Sequence, residues 1–292
     1  MKQFFSIVFS ALLLVSCNNG NSKKQGEGMR IVSVSKQITE MVFALGEGNK
    51  LVARDLTSSY PDSAKLLPTV GYHRMLNAEG IISMQPDVVI HSNDIGPETV
   101  VAQLEKAGVN MKVFGGANSY DSAKLLLKDL ANFFHVPERA DSITKAMDTG
   151  MLQVKEAAKQ FTDSPTVMII HYGQANNVFF VMSGRKGAGD RMIEMAGGKP
   201  AAYDAKGARQ ISAESVAVAN PDVIIATDFG FDKLGGAEKI KELPGVSLTN
   251  AAHNNRIYRF EEHDLVYFGP RSPENILKLM KLIHQTTNAP KQ

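Results

Sequence analysis

The 292-residue chain has one cysteine, no tryptophan and a net charge of only +2, from 32 basic and 30 acidic residues. A single cysteine excludes an intrachain disulfide. The near balance of charge, without a basic cluster, gives no electrostatic basis for nucleic-acid binding. The sequence also lacks a Gly-x-Ser-x-Gly elbow, a P-loop and a dinucleotide fingerprint. We therefore predict that the chain is not an enzyme.

Beyond residue 16, no apolar run approaches the length of a membrane span. The N-terminal run from Phe4 to Val15 is itself short for a spanning helix, which needs about 20 apolar residues. It is typical of a secretory signal, and its end at Leu14 to Cys17 (L-V-S-C) resembles a bacterial lipobox. We predict a signal peptide over 1–16, a lipidated Cys17 on an exported protein, and a flexible polar tether over 17–28. The alternative is an ordinary signal with an incidental cysteine.

Two similar segments organise the rest of the chain. Asn77 to Asp94 and Ser212 to Phe229 align without a gap at a constant offset of 135 residues. Each has Ala-Glu, a short helical stretch, and Pro-Asp before an apolar run typical of a buried parallel strand. The repeated acids are Glu79 and Glu214. A repeat at this distance is too long for a solenoid and indicates two similar lobes with a ligand cleft between them.

Short β-branched runs alternate with helical patterns in both halves, which indicates parallel, doubly wound sheets. Between the halves, residues 122–134 and 137–161 are rich in strong helix formers and contain no strand candidate. We predict an α/β fold of two Rossmann-like lobes, 29–118 and 163–292, joined by a long rigid α-helix within 119–162. The predicted strands are Arg30–Val34, Leu51–Arg54, Val88–His91, Lys112–Phe114, Thr166–His171, Val223–Ala226 and Arg256–Phe260, and the last helix is Ser272–Gln285.

Three segments carry a family resemblance. Val70 to Ile90 reads V-G-Y-H-R-M-L-N-A-E-G-I-I-S-M-Q-P-D-V-V-I, residues 268–271 read F-G-P-R, and Gly184-Arg185 precedes A-G-G at 196–198. Together they resemble the haem-binding branch of the substrate-binding proteins of ABC importers, a family that also includes cobalamin and ferric-siderophore binders. The resemblance implies capture of haem between the lobes and delivery to an ABC permease dimer with its ATPase.

The resemblance points to Tyr72 as the axial ligand of the haem iron. A phenolate oxygen is a suitable ligand for ferric iron, and Gly71 allows a flat ligand to approach the backbone. If the loop is extended, Arg74 lies on the same side as Tyr72 and can bind a propionate. His73 then points away, although it could replace Tyr72 in another rotation.

His171 is the candidate from the second lobe. It ends a predicted strand, and ligands of open α/β sheets bind at the carboxyl ends of strands. In some relatives a histidine from this lobe completes the coordination, so His171 is a possible second ligand and Tyr172 a further oxygen donor. The alternative is a strand-end histidine bonded to backbone.

Haem carries two carboxylates, so cations are expected at its edge. Arg185 and Arg271 are predicted cleft contacts beside Arg74, and Lys186 and Arg191 add positive charge to the second lobe. Each of them taken singly is more typical of a solvated surface charge, and only together with Arg74 do they indicate an anionic ligand.

Glu79 and Glu214 are predicted docking residues. In the family, glutamates at these positions pair with arginines of the two permease subunits. The alternative interpretation is that an Ala-Glu pair merely begins a helix, where acids favour the N-terminal dipole.

Other cargoes share this architecture. Cobalamin or a ferric siderophore would use the same fold and docking acids. A bare zinc or manganese ion is a further alternative, although the candidate ligands lack close spacing; they are His73, His91, His171, His263, Asp94, Glu262 and Asp264. A haem-scavenging lipoprotein without a permease is the remaining interpretation, and the paired glutamates count against it.

Overall fold

The computed structural model describes residues 28–173, 177–184, 186–201 and 209–285. The N-terminal half contains six strands and three helices in the described part: β1 (Ile31–Ser33), α1 (Lys36–Ala44), β2 (Leu51–Arg54), β3 (Gly71–Tyr72), β4 (Met75–Leu76), α2 (Ala78–Ser83), β5 (Val88–His91), α3 (Glu98–Lys106) and β6 (Met111–Val113). Strands β2, β1, β5 and β6 form a parallel sheet in that order. The central strands β1 and β5 are buried throughout, which explains their uninterrupted apolar character.

Two helices follow, α4 (Tyr120–Phe134) and α5 (Pro137–Ala158). Ser119 and Ser122 form a capping box at the start of α4, and His135 ends the helix in the left-handed conformation. Proline at the first position of α5 has the φ angle that a helix requires and needs no amide partner there. The predicted helical region is thus two helices, of which the second is long.

The C-terminal half has the elements β7 (Thr166–Gly173), β8 (Val178–Val181), α6 (Ala188–Met195), β9 (Lys199–Pro200), β10 (Arg209–Gln210), α7 (Ala213–Ala219), β11 (Val223–Thr227), α8 (Asp228–Leu234), α9 (Ala237–Ile240), α10 (Asn250–His253), β12 (Ile257–Phe260) and α11 (Ser272–Ile283). Its sheet has the order β10-β8-β7-β11-β12, with β9 also beside β7. Strands β7, β11 and β12 are parallel, as predicted. Strands β8 and β10 are antiparallel and were not predicted. The α/β fold class is confirmed: the first sheet is parallel throughout, and the second has the parallel strands β7, β11 and β12 with antiparallel β8 and β10 at one edge.

The repeat occupies equivalent places in the two sheets. Strand β5 lies beside β1, and β11 lies beside β7. The aspartate of each Pro-Asp pair also has the same role. Asp87 accepts a hydrogen bond from the Arg30 amide at 2.9 Å, and Asp222 accepts one from the Thr166 amide at 2.9 Å. Each repeat therefore fixes the first strand of its own lobe by the same backbone contact.

Helix α5 contacts both halves. Near its start, Arg139 pairs with Glu47 at 2.7 Å, and in its middle Gly150 lies so close to Pro273 of α11 that a Cβ would be 2.7 Å from the proline Cβ. One hydrophobic cluster includes buried residues of both sheets and of α4, α5 and α11. The two lobes are consequently packed on a common core. No helix in the described ranges is long and apolar enough to cross a bilayer.

Candidate functional site

Tyr72 lies on a small hairpin and not on an extended loop. Strands β3 and β4 pair Tyr72 with Met75, and His73 with Arg74 forms the connecting turn. Gly71 adopts a φ of +96°, which only glycine reaches without strain. The condition of an extended loop is therefore not met, because the chain reverses after Tyr72. As a result the His73 ring packs edge-on against the Tyr72 ring, with centroids 4.5 Å apart.

Two carboxylates hold His73 in this position. Its Nδ1 lies 3.4 Å from Asp55 Oδ2, and its Nε2 lies 3.5 Å from Asp94 Oδ2. Asp55 directly follows β2 and Asp94 follows β5, so both come from the carboxyl edge of the first sheet. The exposed Arg74 guanidinium is also 3.3 Å from Asp94. The hairpin is thereby tied to the sheet through its turn.

The contacts among His73, Asp55 and Asp94 determine the ionisation of the three side chains. Burial opposes the charged form of His73, but Asp55 and Asp94 outweigh burial and raise the pKa of the imidazole. Burial likewise opposes ionisation of Asp55, and hydrogen bonds from His73, Ser58 and Thr57 still lower its pKa. His73 first, and then Ser92, hold the pKa of Asp94 well below its usual range. An imidazolium between two carboxylates is the arrangement that these shifts favour.

His171 lies near the end of β7, at the carboxyl edge of the second sheet. Its Nδ1 is 3.2 Å from the hydroxyl of Thr227, the last residue of β11. Burial is the main cause that lowers the pKa of His171, which favours the neutral imidazole that can bind a metal ion. Holding Nδ1 in this way orients the ring and leaves Nε2 as the nitrogen for a ligand.

Tyr172 is engaged inside the second lobe. Its hydroxyl donates to Asn177 Oδ1 at 2.6 Å and accepts from Lys233 Nζ. Its ring stacks on Phe229, with centroids 5.7 Å apart. Binding iron through Tyr172 would require breaking these contacts, so the structure favours His171 as the second-lobe candidate.

Arg271 belongs to a buried cluster that joins the two lobes. Its Nε donates to Glu40 Oε1 of α1 at 2.9 Å, and its second nitrogen lies 2.6 Å from Asp264. Glu40 also accepts from His263 Nε2 at 2.8 Å and from the Tyr267 hydroxyl at 2.9 Å. The guanidinium therefore has carboxylate partners within the protein, and the predicted propionate contact of Arg271 finds no support in this geometry.

A second ion pair joins the lobes beside this cluster. Lys36, the first residue of α1, lies 2.5 Å from Glu262, which follows β12. Burial opposes ionisation of Glu262, but Lys36 outweighs it and lowers the pKa of the carboxyl. Because α1 begins just after β1, this pair connects the carboxyl edges of the two sheets.

The histidines and acids considered for a bare metal ion are dispersed among these contacts. His73 lies between Asp55 and Asp94, His263 bonds Glu40, and His91 Nδ1 contacts the Ser92 carbonyl at 2.8 Å. Within the described part of the chain, no three His, Cys, Asp or Glu side chains form a group that could hold a metal ion.

Of the other predicted cations, Lys186 and Arg191 lie within the described ranges, and neither takes part in the contacts given above. Arg185 lies outside the described residues, as does Cys17. Lys186 is exposed, and its amide donates to Asp190 Oδ2 at 2.6 Å. Arg191 is exposed on α6.

Glu79 and Glu214 occupy matching positions. Each is the second residue of its helix, α2 or α7, and each is exposed to solvent. Asn77 caps α2 by accepting from the Gly80 amide at 2.9 Å, and Ser212 caps α7 by accepting from the Ser215 amide at 3.2 Å. Because Asn77 and Ser212 already accept hydrogen bonds from backbone amides at the starts of these helices, the glutamates are not needed as N-caps.

The comparisons with known proteins agree with this architecture. The family described as periplasmic binding protein matches residues 31–263. This chain belongs to that family. The periplasmic heme-binding protein RhuT from Roseiflexus sp. RS-1 is similar in structure, with a TM-score of 0.82 and 32% identity over 90% of this chain and 100% of that chain.

Of two curated relatives of this periplasmic binding protein, one has no assigned ligand in its name and the other is named for its ligand. One is an uncharacterised ABC transporter substrate-binding lipoprotein, YvrC of Bacillus subtilis (strain 168), 26% identical over 89% of this chain and 82% of the relative. Another is the vitamin B12-binding protein of Yersinia pestis (strain Pestoides F), 26% identical over 68% of this chain and 69% of the relative. The periplasmic binding protein is a substrate-binding protein of an ABC transporter and not an enzyme, as predicted.

Two residues of the site region, Asp55 and Glu40, are not predicted from the sequence. Asp55 had one signal, because it directly follows a buried strand at the edge where ligands bind. Glu40 had none, since its partners lie more than 220 residues away along the chain.

Proposed function

We propose that this protein captures haem in the cleft between its lobes and delivers it to an ABC permease. The observation that carries the proposal is the hairpin that presents Tyr72. Its turn residue His73 packs on the tyrosine ring and is itself held by Asp55 and Asp94. A tyrosine side chain whose neighbours are fixed loses little conformational entropy when it binds iron. Phenolate is also a known type of axial ligand for haem iron.

Tyr72 supplies the axial oxygen, and Arg74 binds a propionate. Arg74 is exposed and has one exchangeable contact with Asp94 at 3.3 Å, so its guanidinium can turn to a carboxylate of the ligand. His171 is the possible second ligand, because its lowered pKa and its bond to Thr227 favour a neutral, oriented imidazole. Arg185 remains a further proposed contact, and the structure adds no argument for Arg271.

The test compares Tyr72→Phe with a control, Tyr258→Phe, whose ring packs against the common core. Phenylalanine keeps the ring and removes only the oxygen that would bind iron. Titration with hemin should give weaker binding and a changed type of absorption spectrum for Tyr72→Phe, and no change for Tyr258→Phe. Unchanged binding and spectrum in Tyr72→Phe would move the assignment to His73 or His171.

Cobalamin is the second candidate cargo, and the likeness to a vitamin B12-binding protein supports it. The same protein mixed separately with hemin and cyanocobalamin distinguishes the two. Haem bound through tyrosinate produces a Soret band and charge-transfer features. Binding of cyanocobalamin alone would replace the haem proposal with the cobalamin proposal. A ferric siderophore or a bare ion would bind without either spectrum.

Delivery requires docking on the permease, and Glu79 and Glu214 are the proposed docking residues. Their identical helix positions in the two lobes match a partner with two equivalent subunits. Breaking a desolvated charge pair at an interface costs about 2 to 5 kcal/mol. A protein with both glutamates changed to alanine should bind hemin normally and fail to stimulate uptake. Export as a lipoprotein anchored through Cys17 would place it at the membrane that holds the permease.

A further inference from the structure

Each docking helix also exposes one large aliphatic side chain. Ile82 of α2 is 42% exposed, and Val218 of α7 is 77% exposed. A single exposed aliphatic residue is ordinary on a protein surface. Here the position is informative, because Ile82 lies three residues after Glu79 and Val218 lies four residues after Glu214. Residues three or four apart share one face of a helix.

The two faces have the same composition in a different order. After the glutamate, α2 has Ile82 and then Ser83, whereas α7 has Ala217 and then Val218. Each face thus carries one acid, one β-branched aliphatic residue and one small residue.

The opposite side of each helix packs inward. Ile81 is fully buried under α2, and Val216 is fully buried under α7. Ile81 and Val216 therefore make the contacts between these helices and the interiors of their lobes. Neither Ile82 nor Val218 is required for the core of its lobe.

We propose that each lobe docks through two side chains, the glutamate and the aliphatic residue beside it. This inference rests on the proposed delivery of cargo to an ABC permease and adds a second residue to each contact. The occupant of each face is one permease subunit that presents a cation and, one helical turn away, an apolar hollow. An aliphatic contact next to a charge pair excludes water and strengthens the pair, as energetically important interface residues do.

The occurrence of the same pair in both lobes favours the permease over other occupants. A dimeric permease offers two equivalent surfaces to one binding protein, and the two lobes offer it two faces of the same composition, with the aliphatic residue three positions after the glutamate in one and four in the other. A second copy of this chain would require only one self-complementary patch.

The test uses Ile82→Ala with Val218→Ala in one protein, loaded with hemin. The readout is stimulation of ATPase activity of the permease and ATPase from the same organism, reconstituted in proteoliposomes. Removing two aliphatic contacts should raise the half-maximal concentration about tenfold or more, while hemin affinity in solution stays the same. The control is Leu152→Ala on α5, where the leucine is 66% exposed, and it should not change the stimulation.

A parallel protein with Glu79→Ala and Glu214→Ala separates the possible failures. If the glutamate variant loses stimulation and the aliphatic variant keeps it, the inference is wrong and the proposed function stands. If neither variant changes stimulation, the docking assignment itself fails. Loss of hemin binding in the aliphatic variant would place these residues at the ligand site and overturn the inference. If the wild-type protein is a dimer and the aliphatic variant is a monomer, the faces bind a second copy of this chain. That result would also overturn the inference.

Discussion

Replacing Glu40 tests how firmly the two lobes are held together. Its carboxylate is 4% exposed and accepts hydrogen bonds from His263, Tyr267 and Arg271 at 2.8 to 2.9 Å. Removing one partner of a buried ion pair costs about 3 to 5 kcal/mol, because the remaining charge is left unpaired. Arg271 keeps Asp264 as a partner at 2.6 Å, so we expect Glu40→Ala to lower the free energy of unfolding by about 3 kcal/mol, near the lower end of that range.

The measurement is urea unfolding of Glu40→Ala, Glu40→Gln and a surface control. Glu40→Gln keeps the side-chain volume and one acceptor oxygen, so it should lower the free energy of unfolding less than Glu40→Ala does. The control is Glu242→Ala, which removes an exposed pair with Lys239 and should cost at most about 1 kcal/mol. Equal losses in Glu40→Ala and Glu242→Ala would refute the reasoning.

The stabilisation by Glu40 should also depend on pH. Burial opposes its ionisation, but His263 and Arg271 outweigh burial and lower the pKa of Glu40 from its ordinary value of 4.5. A carboxyl with a lowered folded pKa contributes its full stabilisation above the unfolded value and loses it as the pH falls through the folded value. The stability difference between wild type and Glu40→Gln should thus shrink as the pH falls below 4.5. A difference that grows on acidification would contradict the assignment of the charged form.

Three further predictions concern the anchor, the hinge and the packing of α5. Cys17→Ala should release the protein from membranes or leave it unprocessed, and mass spectrometry showing an unmodified Cys17 in the wild type would disprove anchoring. Scattering curves of apo and hemin-loaded protein should nearly coincide, because α5 and the Glu40 cluster join both lobes, and a large contraction would contradict this. Gly150→Ala should lower the melting temperature despite the better helix propensity of alanine, because its Cβ would be 2.7 Å from Pro273; Thr149→Ala, at an exposed position, is the control.

The elements that sequence reasoning located well are those with strong local signals. Strands β2 and β5 have the predicted boundaries because they are short apolar runs between helices. Helix α5 begins at the predicted Pro137, where the proline fixes the first turn. Strands β8 and β10 were missed, because an antiparallel strand added at a sheet edge changes neither the spacing nor the apolar pattern of the parallel strands.

The hairpin at Tyr72 shows why part of the site could not be predicted. Its strands have two residues each, and its turn is His-Arg, without the asparagine or glycine that marks most tight hairpins. Family resemblance singled out Tyr72, but the contacts of His73 with Asp55 and Asp94 depend on how the hairpin folds onto the sheet. The cluster around Glu40 is equally non-local, since it joins residues from opposite halves of the chain.

The common core has a consequence for how this protein and a permease would remain compatible. Helix α5 has 22 residues, about 33 Å at 1.5 Å per residue, and it is packed on both lobes. The separation of Glu79 and Glu214 is then set by interior packing and not by the surfaces that carry them. One residue inserted into α5 would shift one end by about 1.5 Å and rotate it by about 100°, which would misplace one proposed docking helix without changing any residue on its surface. If the proposed docking holds, the match to the transporter would depend on packing inside this protein.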